Sequence, residues 1–383
     1  MNFLFENIYT LLNFSNGGWK SLLMLFIGLL LIWLAVKKNC EPALLLPMGF
    51  GSILVNLPFS GVLNQTIAGV PSHGIIEWLF EVGINTSEAM PILLFIGIGA
   101  MIDFGPLLSN PLMFLFGIAA QFGIFAAILL ALFLGFDLND AASIGIIGAA
   151  DGPTAILVSQ VLNSQYLGPI AVAAYSYMAL VPLVQPMVIK HITTRKERCI
   201  PMKYEAKTIS KNLRIAFPIA VTIFAGLLAP QSIALVGFLM FGNLLRECGV
   251  LGTLSETAQN QLTNLITLLL GLTISFRMQA VDFIRVETLL IMLIGLFAFI
   301  MDTICGVLFA KFINLFLKEK INPMIGAAGI SAFPMSSRVI QKLAFEEDKT
   351  NILIMHAVGA NVSGQIASVI AGGLVINLVS LFS

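Results

Sequence analysis

Charge is the scarcest property of this 383-residue chain: Asp, Glu, Lys and Arg make up 10% of it, 20 acids against 20 bases. A soluble domain carries roughly a quarter charged residues, so this chain cannot clothe a water-facing surface. Zero net charge argues against nucleic acid as a partner. Cysteine is also sparse. Cys40, Cys199, Cys248 and Cys305 show no CxxC spacing, and His73, His191 and His356 lie far apart, which leaves neither a disulfide framework nor a Cys/His zinc site. Strand-period alternation is missing, and a transmembrane β-barrel with it. The opening MNFLFENIYTLLNF has Glu6 and no basic region before its apolar residues, unlike a cleavable signal. It reads as a short interfacial helix.

What the chain has in abundance is apolar length. It is 58% hydrophobic, and runs such as Pro111–Gly135, Gly168–Ile189 and Leu289–Ala310 are each long enough to span a hydrocarbon core of roughly 30 Å as a helix. Ser21–Val36 is a further candidate crossing. The fold class is an all-α polytopic membrane protein. Eight of the 20 Lys and Arg residues fall in Lys190–Arg214, which marks that loop as cytoplasmic.

The basic loop divides the chain, and the halves echo one another. Ile-Gly-Ala-Ala occurs at Ile147–Ala150 and again at Ile325–Ala328, an offset of 178 residues that also lays Pro111–Gly135 on Leu289–Ile313. LFEVG at Leu79–Gly83 resembles LRECG at Leu245–Gly249 with an offset of 166. Each half then reads as about five segments, beginning with Pro42–Leu57 or Ile215–Leu228 and including one interrupted helix. An odd number inverts one half against the other, as in many secondary transporters. The expected organisation is an N-terminal helix region (1–40), a first repeat (41–191), a cytoplasmic loop (192–213) and a second repeat (214–383). Counting five crossings back from the loop places Lys37 and Lys38 outside, against the positive-inside rule.

The interruptions carry the chemistry. In IGAADGPTAILVSQ, Pro153 follows Asp151 and Gly152; proline lacks an N–H and disfavours helix before it, so backbone carbonyls are freed. Such backbone is tolerated at membrane depth only where it is buried in protein or lines a polar cavity. INPMIGAAGISAFPMSSR repeats the device around Asn322 and Ser331. Asp151, Thr154, Asn322, Ser331 and the freed carbonyls are hard oxygen donors with one carboxylate among them. That set suits a monovalent cation, Na⁺ or H⁺, better than a divalent one. An intramembrane Asp is costly enough to be functional by default. Asp302, within FIMDTICG, invites the same reading but has no helix break beside it. Asp103, beside Gly105-Pro106, fits a helix cap. Tyr175 and Tyr177 lie mid-span, where a buried, hydrogen-bonded Tyr is the plain alternative to a functional one.

Four runs carry a resemblance: GAADGPTAI (Gly148–Ile156), YSYMALVPLVQP (Tyr175–Pro186), NPMIGAAGISAFPMSSRV (Asn322–Val339) and HAVGANVSGQIAS (His356–Ser368). From about Leu44 onward the chain resembles the β subunit of the sodium-pumping biotin-dependent decarboxylases, which include the oxaloacetate, methylmalonyl-CoA and glutaconyl-CoA enzymes. The resemblance implies Asp151 as the essential aspartate, Tyr177 as the mechanistic tyrosine, and Asn322, Gly326, Ser331 and Arg338 as the polar positions of the second broken helix. Asn361 matches the asparagine of the closing helix. Asp151, Thr154, Asn322, Ser331 and Asn361, with the Gly326 backbone, are thus the expected Na⁺ ligands, and Asp151, Tyr177 and Arg338 the expected catalytic residues. Gly148-Ala149 stands where the family usually has Gly-Gly, and Gly359-Ala360-Asn361 where it has Gly-Pro-Asn; neither change removes a ligand.

The resemblance further implies that a biotin carrier protein presents carboxybiotin, and that its decarboxylation drives Na⁺ outward with consumption of a proton. Implied partners are a carboxyltransferase α subunit and a small membrane-anchor γ subunit. A homotrimer in a bacterial inner membrane is implied, its transporter-like cores moving against a fixed scaffold, elevator fashion. The residues alone also fit a Na⁺-coupled secondary carrier, either a carboxylate symporter or a Na⁺/H⁺ antiporter. The DGPTAI run with its second-half counterpart discriminates against that reading. A non-transporting scaffold has no use for two broken helices with polar ligands.

Overall fold

The computed structural model describes Leu11 and residues 18–38, 42–67, 70–86, 88–202 and 208–382. The interfacial helix expected at the N-terminus, Cys40, Lys203 and Lys207 lie outside the described residues. The first half comprises α1 (Gly18–Lys38), α2 (Pro42–Asn56), a small antiparallel hairpin of β1 (Gln65–Ile67) and β2 (Val70–Ser72), and α3 (Ile75–Phe80) running into a π turn (Glu81–Asn85). There follow α4 (Ala89–Met101), α5 (Gly105–Ser109), α6 (Met113–Phe133), α7 (Leu138–Gly145) with a 3-10 turn (Ile146–Ala149), α8 (Gly152–Val161), α9 (Leu167–Ile192) and α10 (Arg195–Arg198). The second half comprises α11 (Lys211–Leu228), α12 (Ile233–Glu247), α13 (Gly252–Met278, with a π turn at Ala258–Leu262), α14 (Ala280–Phe283), α15 (Val286–Ile313), α16 (Met324–Ala327), α17 (Met335–Glu347) and α18 (Ile354–Phe382).

Six of these helices are long and apolar enough to cross a membrane unaided, and two bent pairs, α3 with α4 and the two parts of α9, raise that to eight. Local chemistry sets several ends. The Asp137 carboxylate accepts from Asp140 N at 2.9 Å to cap α7, Thr194 and Glu197 form a reciprocal capping box on α10, and Ser210 caps α11, each satisfying amides that a helix start leaves open.

Polar contacts sort the helix ends onto two faces. On one face, Lys190 pairs with Glu346 at 3.0 Å, Arg198 with Glu347 at 2.7 Å and Lys311 with Glu197 at 3.0 Å, which gathers the ends of α9, α15 and α17. Asn351, just before α18, donates to Ile200 O, so α18 begins there, and Ser363, part-way along α18, donates to Met113 O, which puts the start of α6 on the same side of the protein. Asp103, Arg214, Arg246 and Glu247 link the ends of α4 and α12 to the start of α11. On the opposite face, Lys20 donates to Ile284 O, Asn56 to Met278 O, and Gln160 to Asn85 O.

Two expectations are corrected by this arrangement. The interrupted helices do not cross. Ser164 and Gln165, after α8, donate to Asp140 of α7 at 2.6 and 3.0 Å, so α7 and α8 form a hairpin that enters and leaves by one face. Asn322, before α16, and Asn351, after α17, both donate to Arg198 O and Ile200 O, so α16 and α17 form a second hairpin entering from the basic face. The crossings between α1 and the basic loop are then α2, α3–α4, α6 and α9. Lys37 and Lys38 therefore share the face of that loop, and the conflict with the positive-inside rule disappears. The LFEVG and LRECG similarity is the second correction. Leu79–Gly83 lies in α3 and its π turn, whereas Leu245–Gly249 lies at the end of α12, so the two segments occupy different elements.

Candidate ion site between two hairpins

The tips of the hairpins meet mid-protein. Ala150 takes a left-handed φ of 51° after the 3-10 turn and Asp151 an extended φ of −130°, which reverses the chain so that α8 starts at Gly152. A left-handed alanine is costly, and the surrounding packing holds it: Ile147, Ala149 and Ala150 are all buried. At the other tip, Ser331 N donates to Ala149 O at 3.2 Å, joining the two turns directly.

Asp151 is 3% exposed. One of its oxygens, Oδ2, accepts from Thr154 Oγ1 at 2.7 Å, Gln365 Nε2 at 3.1 Å and Ser368 Oγ at 3.1 Å. Ser368 Oγ is also 3.0 Å from Ser331 Oγ, so one α18 hydroxyl bridges the two hairpins. Asn361 donates to Ile330 O at 2.6 Å while its own Oδ1 is buried without a hydrogen-bond partner. Gly152 makes room for an aromatic wall, because a Cβ there would lie 2.1 Å from Tyr175 Cε1. The positive end of α8 points at the carboxylate as well, a favourable placement for negative charge.

The structure thus brings together Asp151, Thr154, Ser331 and Asn361 of the residues expected from sequence. It adds Gln365 and Ser368, which sequence reading passed over. Their signal was present: Asn361, Gln365 and Ser368 stand at i, i+4 and i+7, a polar stripe on one face of an apolar helix. One carboxylate, three hydroxyls and two side-chain amides form a donor set for a small monovalent cation, with too little charge for a divalent one. Among the described residues no group of three or more His, Cys, Asp or Glu side chains could hold a metal.

Four expected residues are placed elsewhere. Asn322 is engaged at the foot of its hairpin, with its amide on Arg198 O and Ile200 O and its Oδ1 accepting from Met324 N. Gly326 is a crossing point of α16 and α15, where a Cβ would lie 1.9 Å from Gly306 O, and its own carbonyl accepts from Gly329 N. Tyr177 gives its hydroxyl to Met292 O on α15. Arg338 lines a cleft of about 470 Å³ with Gln341, Lys342, Phe345, Glu346 and Ile354 at the basic face. Asp103 sits in the ion-pair cluster at the end of α4 and also accepts from Gly105 N at 2.8 Å, as a cap does.

Fold and site together define a class: polytopic ion-translocating membrane proteins whose discontinuous helices hold a polar site within the bilayer. Comparison with known proteins makes the class specific. Residues 20–379 match the family described as Na⁺-transporting oxaloacetate decarboxylase beta subunit, and the chain belongs to that family. It is 46% identical over 393 residues to the methylmalonyl-CoA decarboxylase subunit beta of Propionigenium modestum, covering 97% of this chain and 98% of the relative. It is also 46% identical to the Veillonella parvula protein of the same name, covering 96% and 95%, and 43% identical to the oxaloacetate decarboxylase beta chain of Klebsiella pneumoniae, covering 96% and 97%. The protein is a multi-pass membrane subunit of a Na⁺-translocating decarboxylase.

Proposed function

We propose that this subunit decarboxylates carboxybiotin presented by a biotin carrier protein, uses the reaction to export Na⁺, and binds that Na⁺ between the hairpin tips. Asp151, Thr154, Ser331, Asn361, Gln365 and Ser368 are its ligands. The observation that carries this reading is the bridge from Asp151 Oδ2 through Ser368 Oγ to Ser331 Oγ. Na⁺ arriving there neutralises the one carboxylate and takes oxygens from both hairpins at once, so ion occupancy and hairpin seating are linked.

Carboxybiotin supplies a carboxylate whose loss as CO₂ consumes one proton. Arg338, in its cleft at the basic face, pairs with that carboxylate on arrival. Tyr177 is the proton donor. A Cβ on Gly295 would lie 2.8 Å from its ring and 2.8 Å from Ile147, which sets the ring beside the first hairpin, and rotation of its hydroxyl off Met292 O frees the proton. The bacterial relatives support an inner-membrane location, and their being beta subunits supports assembly with further subunits; a carboxyltransferase α subunit and a small γ subunit are the partners of this reading. We also propose that the two halves are inverted repeats. In support, a π turn interrupts the corresponding span of each half, between α3 and α4 and within α13, and the hairpins enter from opposite faces. Asn56 of α2 donates to Met278 O just as Asn243 of α12 donates to Ile102 O. The hairpins with α6, α9, α15 and α18 form the moving core and the remaining helices the scaffold of a homotrimer.

The test is the assembled decarboxylase carrying Asp151→Asn. We expect loss of both Na⁺-stimulated decarboxylation and Na⁺ uptake into inverted vesicles, because a neutral amide cannot balance the ion's charge in a medium of low dielectric. Full coupled activity in that variant removes Asp151 from the ion site.

A further inference from the structure

The ion site leaves one membrane-embedded carboxyl without a task. We propose that Asp302 is a second cation site of the subunit, one that takes a proton, separate from the Asp151 site and opened by withdrawal of the first hairpin.

Asp302 lies near the middle of α15 and is 0% exposed. Its Oδ1 accepts from Gly123 N. That amide belongs to the stretch of α6 just after the irregular turn at Ala120 and Gln121, where the regular helical ladder is interrupted. Its Oδ2 is buried and has no hydrogen-bond partner. The carboxyl fills a slot between two glycines on different elements: a Cβ on Gly123 would lie 2.4 Å from Oδ1, and a Cβ on Gly148, in the 3-10 turn leading to Asp151, would lie 2.9 Å from Oδ2. The bare oxygen therefore faces the hairpin that carries the ion-site aspartate.

A naked carboxylate oxygen against backbone and methyl groups is the arrangement that burial penalises most. A cation removes the penalty, and the surroundings decide which cation. Na⁺ needs several oxygens, yet Gly148, Ala298 and Ile124, which meet at the carboxyl, bring no side-chain oxygen. A proton needs none. The titratable groups on the elements packed against α15 are Tyr175, Tyr177, Lys190 and His191 on α9 and Asp151 and Asp140 on the first hairpin, while α6 and α16 carry none; on α15 itself Cys305 lies one turn along, and Glu287 and Lys311 stand at its two ends. No fixed positive side chain reaches the slot to stand in for the proton. With the first hairpin seated, Gly148 covers Oδ2 and the acid stays neutral; when the hairpin withdraws, water reaches Oδ2 and the proton can leave. The bond broken is O–H at Oδ2, with water accepting the proton, and the reverse step reloads the acid before the hairpin reseats.

The experiment is Asp302→Asn, the isosteric neutral side chain, read three ways beside wild type. Purified subunit is tested for Na⁺-dependent thermal stabilisation, and the assembled decarboxylase in proteoliposomes for Na⁺-transport turnover and for its pH profile. We expect a folded variant with unchanged Na⁺ dependence of stabilisation, because the Asp151 ligands are intact. We expect turnover reduced by roughly tenfold or more, equivalent to at least about 1.4 kcal/mol, and loss of the alkaline decline that reloading of Asp302 gives the wild type. Wild-type turnover or an unchanged pH profile overturns the proposal. So does failure to fold, because a neutral isostere must seat wherever a neutral acid does. A shifted Na⁺ dependence also overturns it by placing Asp302 in the sodium site. Asp151→Asn, which is expected to lose the Na⁺-dependent stabilisation itself, separates failure of this proposal from failure of the ion-site reading.

Discussion

Ser368→Ala tests the bridge between the hairpins. The substitution deletes one oxygen that lies 3.1 Å from Asp151 Oδ2 and 3.0 Å from Ser331 Oγ, in a position that is fully buried. A hydrogen bond to a charged group is worth about 1.5–3 kcal/mol. If the same oxygen also coordinates Na⁺, losing it should raise the Na⁺ concentration for half-maximal activity by roughly tenfold to a hundredfold, at about 1.4 kcal/mol per factor of ten. The assay is decarboxylation by the assembled complex over a Na⁺ titration, run beside Na⁺-dependent thermal stabilisation of the purified subunit. Both readouts should move together, since they share the binding step. Maximal turnover at saturating Na⁺ should fall less, because Asp151, Thr154 and Ser331 remain. An unchanged half-maximal Na⁺ concentration refutes the bridge as part of the site, and a shift in thermal stability without Na⁺ dependence makes Ser368 a packing residue only.

Gly152→Ala puts a methyl 2.1 Å from the Tyr175 ring; overpacking of this kind costs about 1–3 kcal/mol, so melting temperature and turnover should both drop, with partial recovery in Gly152→Ala/Tyr175→Leu. Turnover equal to wild type in the single variant would show that the ring does not press on the helix start. Asn322→Ala should lower thermal stability, by about 1–3 kcal/mol for the two hydrogen bonds it removes, which leaves Arg198 O and Ile200 O to Asn351 alone, while leaving the Na⁺ concentration dependence of decarboxylation unchanged. A tenfold shift in that dependence would return Asn322 to the ion site.

Length and composition made the membrane helices legible, and the Asp-Gly-Pro sequence made the first break legible. The direction of the chain through each break was not. Hydropathy measures apolar length, and α7 with α8 is as apolar as a crossing; the hairpin is revealed only by Ser164 and Gln165 returning to Asp140. Polar residues beside the second break were equally ambiguous. Asn322 and Ser331 have similar neighbours in sequence, but the side chain of the first is held by Arg198 O and Ile200 O at and just after the end of α10, and the backbone of the second donates to Ala149 O of the opposing hairpin, contacts set by chain segments more than a hundred residues away. Tyr175 and Tyr177 point to nearly opposite sides of α9, as residues two apart on a helix must. Which of them borders Asp151 depends on how α9 is turned, and the structure places Tyr175 on Gly152. The stripe of Asn361, Gln365 and Ser368 was readable from helical spacing alone.

The central claim is that a single Na⁺ site lies between the hairpin tips with Asp151 as its charge. Equilibrium binding of radioactive Na⁺ to the purified subunit tests it most directly, comparing wild type with Asp151→Asn at matched protein stability. Saturable binding by wild type and its loss in Asp151→Asn is the result expected here. Saturable binding of wild-type strength in Asp151→Asn would contradict the account, because the remaining donors between the hairpins are all neutral.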